Sequence, residues 1–207
     1  MRKLAILALL ALPASAVTVD RIAAVVDRQV LTVSEITQLV EIRFFPRLSA
    51  VEDEYRREVL DALIAQALRF RDVERFGAQD IPADAIESRI VEMQKRFASE
   101  TEHAAALTRA ELTPEELRAL VKRQLQVEAY IQERFAPLVF VTTEEIEEYY
   151  RTTWSQQRRD RGLPVTPLRE VLEEVRTAVR SARLQTEIDR WTAQLRARAN
   201  VDVYAWR

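Results

Sequence analysis

The sequence contains no cysteine, and its 207 residues include only two glycines and one histidine. The absence of cysteine excludes a disulfide framework and a lipid-bearing cysteine after an export signal, so the folded chain must hold itself together by packing. Two glycines leave little room for phosphate-cradling Gly-rich loops or for the many tight turns of a β-rich domain. A single imidazole, His103, removes His-based metal clusters and makes Ser-His-Asp machinery implausible; it reads as a solvated or capping residue in a mobile connection. Lysine occurs only at positions 3, 95 and 122, so positive charge is carried almost wholly by arginine. The apolar run Leu4–Leu12 is well short of the ~20 residues that a membrane-spanning helix needs.

What stands at the start of the chain is Arg2-Lys3, then that apolar run, Pro13 and Ala14-Ser15-Ala16. A positive n-region, a short h-region and an A-x-A site are the marks of a secretory signal peptide, with cleavage expected after Ala16. Residues 17–207 are then one domain of a size that supports a sizeable core. Without Arg2 and Lys3, 29 basic side chains face 33 acidic ones, a mild net charge of about −4. That balance and the export signal both argue against a nucleic-acid partner.

Val19–Ile36 is the one clear stretch of β pattern near the start. It alternates, breaks at Asp27-Arg28, resumes at Gln29-Val30-Leu31 and turns to helical spacing at Thr32, which forms a capping box with Glu35. A hairpin alone is marginal in water, so a distant strand is expected to join it. Period-two alternation returns after Asn200, and Val19–Val26 is expected to pair with Val201–Trp206. On that reading Val203→Pro removes a ladder donor and destabilises the whole domain.

Between these ends the pattern is helical. Helices are expected from Val33 to Phe45, from Val51 to Phe76 with Gly77 closing the turn in a left-handed conformation, and from Pro82 to Ala98. Ser99–Glu111 reads as a short helix or helical loop. Thr113-Pro114-Glu115-Glu116 opens a helix that ends before Pro137, and Leu138–Val141 is an extended apolar linker. Thr142 with Glu145 repeats the capping box. The acidic run Glu144, Glu145, Glu147 and Glu148 is explained by the helix dipole without invoking a cation. Trp154–Pro167 reads as a loop, and Thr166-Pro167 caps a long last helix whose apolar stripe shifts near Ala182, where it should bend or change its packing partner.

Set in order, these segments resemble the chaperone module of SurA-type periplasmic proteins and of the related PpiC-type rotamase precursors. The likeness is carried by VDRIAAVVDRQVLTVSEI at 19–36, LIAQALRFRDVERFG at 63–77, IPADAIESRI at 81–90, TPEELRALVKRQLQVEAYI at 113–131, VTTEEIEEYY at 141–150 and PLREVLEEVRTAVRSARLQTEIDRWTAQLRARANVDV at 167–203. In those proteins one or two parvulin isomerase domains sit between the short helix at 141–150 and the long last helix. Here that interval shrinks to a loop at 151–166, so the isomerase activity is not carried over and no enzymatic reaction is expected.

The resemblance implies a mainly α fold: several helices around a long C-terminal helix, with a small sheet joining the N-terminal hairpin to the C-terminal strand. It implies a periplasmic, ATP-independent chaperone without cofactor or metal, binding unfolded segments of envelope proteins, outer-membrane proteins above all. A chaperone needs accessible apolar surface. The candidates for peptide binding are Phe44, Phe45 and Leu48 around a proline, Met93 and Phe97 on one helix, and Tyr149, Tyr150 and Trp154 beside the shortened loop; core packing is the alternative for each. A structural or assembly protein of the envelope, using the same surface for one fixed partner or a homodimer, is the rival reading. No stable membrane insertion is expected once the signal is removed.

Overall fold

The computed structural model describes residues 20–204 and is mainly α. The expected signal peptide, Val19, Ala205 and Trp206 lie outside the described residues. β1 (Ile22–Val26) and β2 (Gln29–Thr32) form the hairpin, joined by Asp27 at φ 54°, a conformation that aspartate tolerates better than most side chains. Thr32 then caps α1 (Val33–Glu41): its hydroxyl accepts from the Glu35 N–H at 3.2 Å, and the Glu35 carboxylate accepts from the Thr32 N–H at 2.8 Å.

β3 (Val201–Val203) returns to the hairpin and gives the antiparallel order β2-β1-β3, so the first strand is central and the last is an edge. Asp27 donates its N–H to the Asn200 carbonyl at 2.7 Å, and Tyr204 donates to Ala23 at 2.9 Å. Hydrogen-bonded pairs alternate along an antiparallel ladder. Val25 and Asp202 are therefore the bonded pair between those two, and the N–H groups of Val201 and Val203 point away from β1. Proline at Val203 consequently removes no ladder donor, contrary to expectation; Asp202 holds the donor that matters.

Among the described residues, six longer α-helices and two shorter ones follow one another with few irregular residues. α2 (Glu52–Phe76), α3 (Ala83–Gln94) and α5 (Pro114–Arg134) pack with α1 and the sheet around the largest apolar cluster, which contains Leu31, Ile36, Phe44, Tyr55, Ile64 and Met93. Each such side chain contributes roughly 1.5–3 kcal/mol by leaving water. α1 stops four residues before the expected end. Arg43 takes φ 49°, Phe44 donates to the Leu39 carbonyl and Arg43 to that of Val40, a Schellman closure with arginine where glycine is usual. The strain is held by a clamp: Arg96 reaches the Arg43 and Phe44 carbonyls, while Arg43 bonds the Arg96 carbonyl and lies 4.4 Å from the Phe97 ring centroid.

Other boundaries also differ. α3 ends at Gln94, not Ala98, and Ser99 caps a full helix, α4 (Glu100–Arg109), that buries His103 rather than leaving it in a mobile connection. Gly77 has φ 101° and ψ 103°, a conformation open to glycine but far from the left-handed helical well expected. α6 (Thr143–Tyr149) passes into a π-helical turn, Tyr150–Trp154, and then α7 (Ser155–Asp160), so the interval 151–166 is helical up to Asp160 and irregular only beyond it. α8 (Leu168–Arg198) takes Pro167, not Thr166, as its N-cap. Its apolar stripe changes partner as expected near Ala182. Val175 and Val179 pack against Ile146 and Trp154, whereas Trp191 packs against Val73, Val127 and Tyr130, with Leu184 and Ile188 beside it.

Candidate functional site

The segment between α5 and the middle of α8 forms a separate small layer, in which α6 and the π turn lie along the first half of α8 around their own cluster of Ile146, Trp154, Val175 and Val179, and α7 continues from the π turn. The π turn has a packing cause. Eight residues of an α-helix overshoot two turns by roughly 80°, which would swing Trp154 away from the face that carries Ile146. The wider i→i+5 turns rotate less per residue and return Trp154 to it. Trp154 then stacks on Tyr150, with ring centroids 5.4 Å apart, and donates its indole N–H to Glu174 at 2.9 Å. The Tyr150 hydroxyl donates to the Thr166 carbonyl at 2.8 Å and so pins the connection that leads into α8.

An open groove of about 570 Å³ runs between this helical layer and α8. It is lined by the apolar Tyr149, Val179 and Ala182, by Glu144, Glu145 and Glu148 of α6, and by Arg183 and Thr186 of α8. Glu145 is held below the usual carboxylate range, first by the Thr142 N–H that it accepts and then by Arg183, with which it is paired. Glu148 pairs with Arg151. These carboxylates serve capping and ion pairs, and among the described residues no cluster of three or more His, Cys, Asp or Glu is placed to hold a metal. No helix of the described residues is long and apolar enough to cross a membrane.

The eight residues expected to bind peptide divide by burial. Phe44, Met93, Phe97 and Trp154 are buried, Phe44 and Met93 in the largest cluster and Trp154 against Ile146 and Val175, and they offer little accessible surface. Phe45, Tyr149 and Tyr150 are half-buried, with Tyr149 alone of the three lining the groove. Leu48 is 83% exposed in the α1–α2 connection. The structure therefore does not gather the eight into one surface.

Two residues outside that set are the more accessible. Leu138 and Phe140 are 70% and 80% exposed in the connection that leads to the Thr142 cap of α6, beginning with a 3₁₀ turn at Ala136–Leu138. The sequence signal was there in the apolar run at 138–141, but an apolar linker is ordinarily taken as buried. Ile22, Val30, Val203 and Tyr204 on and beside the sheet are also about half exposed.

No protein-family model matches the chain, and no curated protein matches it significantly.

Proposed function

We propose that the protein is a periplasmic, ATP-independent chaperone that holds extended, aromatic-rich segments of unfolded envelope proteins, outer-membrane proteins above all, and catalyses no reaction. The observation that carries this reading is the pair Leu138 and Phe140, large apolar side chains held in water in the connection that leads into α6, the helix that lines one side of the groove. Side chains left in water give up roughly 1.5–3 kcal/mol each that burial would supply, and a bound apolar chain recovers it. The groove is open along its length and bordered by charge, which suits reversible contact with a chain lacking a fixed shape. The edge strand β3, whose Val201 and Val203 amides point outward, adds a place where an extended chain can pair through its backbone.

Two further points support the same reading. The likeness to SurA-type modules rests on segments whose helices, caps and returning strand occur here in the implied order. The export signal expected in residues 1–16 would bring the chain to where unfolded envelope proteins pass.

The test is suppression of aggregation of an unfolded outer-membrane protein, measured beside binding of an aromatic-rich peptide. Both are expected at stoichiometric protein and both should weaken in a Leu138→Ser, Phe140→Ser double variant of unchanged stability. If stoichiometric protein affects neither, the proposal fails. Recovery of one tight stoichiometric partner on co-purification, in place of weak binding to many chains, would support a fixed assembly role instead.

A further inference from the structure

Away from the groove, the ends of α2 and α5 meet the last third of α8 in a half-open cleft of about 290 Å³. Both helices end in the same tripeptide, Glu-Arg-Phe, at 74–76 and at 133–135. The fold brings the two copies together. Phe76, Phe135 and Trp191 supply the aromatic lining, and Arg75, Arg134, Arg190 and Arg198 supply the charge.

The acidic side chains of the lining are already engaged. Asp72 accepts from the Trp191 indole N–H at 3.2 Å, and Glu187 pairs with Arg190 at 2.8 Å. Arg75, Arg134 and Arg198 have no carboxylate partner among the described residues, and Arg75 and Arg134 lie over the Phe76 ring at 5.7 and 5.1 Å. Each of the three stands in the last turn of its helix, where a cation balances the negative end of the dipole. That accounts for one arginine per helix but not for three helices delivering them to one cleft. Behind the lining, Tyr130 packs on Trp191 and Phe135, with the Arg134 guanidinium 5.6 Å from its ring centroid.

A cleft with aromatic walls and unpaired guanidinium groups recognises a group that joins an apolar body to an anionic head. Its volume, at the lower end for ligand sites, suits one residue rather than a long segment. An internal Asp or Glu has the charge without the apolar body, and an internal aromatic residue has the reverse. The end of a polypeptide has both within one residue. We infer that this cleft binds the free carboxyl terminus of a client chain whose last side chain is aromatic, with guanidinium groups on the carboxylate and the ring against Phe76 and Phe135. The source of the chain end rests on the chaperone reading; the chemical preference does not.

The test uses the full protein and three labelled pentapeptides, read by fluorescence anisotropy: one ending in phenylalanine with a free carboxylate, the same peptide amidated, and the free acid ending in serine. The first should bind about tenfold more tightly than either of the others. Arg134→Gln with Arg198→Gln, both exposed and expected to lower stability only modestly through the helix dipoles, should reduce the first to the level of the amide and leave the amide unchanged, with folding checked by circular dichroism. Equal affinity for acid and amide overturns the inference, as does an equal loss for both peptides in the variant. Decanoate displacing the peptide better than N-acetylphenylalanine would reject a chain end in favour of a lipid carboxylate. Because these peptides report on the cleft alone, discrimination can survive failure of the aggregation assay, and loss of discrimination leaves that assay untouched.

Discussion

The sheet makes a prediction that separates two substitutions at neighbouring positions. With β1 central, the Val25 carbonyl depends on the Asp202 N–H, because the flanking bonded pairs are Asp27 with Asn200 and Ala23 with Tyr204. Asp202→Pro removes that donor and leaves a half-buried carbonyl of the central strand without its partner, at a cost of about 1–3 kcal/mol. At about 2–4 °C per kcal/mol for a chain of this length, the melting temperature should fall by roughly 4–8 °C for a loss of ~2 kcal/mol. Val203→Pro removes an amide that faces away from the sheet, and should cost less than ~1 kcal/mol. Asp202 also accepts from the Asn200 side chain at 3.1 Å, so Asp202→Ala is the control and is expected to stay within ~0.5 kcal/mol of the parent. Thermal unfolding followed by circular dichroism reads all three. A melting temperature lowered as much by Val203→Pro as by Asp202→Pro would refute the register argument, and no change in either would show that the strand does not stabilise the domain.

Two other perturbations follow from buried groups. His103 is buried on α4 with its Nε2 unpartnered, and burial pushes its pKa below the usual imidazole value despite the opposing pull of Glu100. The unfolded chain therefore binds the proton more readily. Stability should be complete above the unfolded pKa near ~6.5 and decline as pH falls from there toward the folded value. Urea unfolding at pH 7.5 and 5.5 should show this decline in the parent and not in His103→Leu; the same slope in both would exclude His103 as its source. Trp154→Ala should cost about 3–5 kcal/mol, felt within its own layer, because it removes the stack on Tyr150 and the bond to Glu174. Amide exchange should quicken through α6 and α7 while β1 keeps its protection, and a uniform loss of protection would mean that the layer is not separable.

Much of the fold was legible because its start signals are local. Thr32 with Glu35, Thr113 with Glu116 and Thr142 with Glu145 all form the reciprocal capping bonds that their spacing implies. Helix ends were harder, since Arg43 takes a positive φ that only its clamp with Arg96 makes tolerable, and no four-residue window contains both partners. The helix through 154–160 was hidden by its π turn, which breaks α periodicity in order to bury Trp154. His103 looked polar enough for a surface, yet it lies edge-on against Phe97 with ring centroids 5.2 Å apart. Of the candidate surface, aromatic character identified residues able to pack against something, not whether that partner lay within the chain. Phe44 and Trp154 found theirs inside, while Leu138 and Phe140 did not.

The central position of β1 also sets the order in which the protein can be completed. Its pairing with β2 needs only the next few residues to emerge, but its other edge waits for a strand made much later, across the 173 residues that separate Asp27 from Asn200. During vectorial synthesis β1 is therefore half-satisfied until α8 and β3 have cleared the exit. A chain truncated within α8 lacks β3 and so leaves one edge of β1 without its ladder partner.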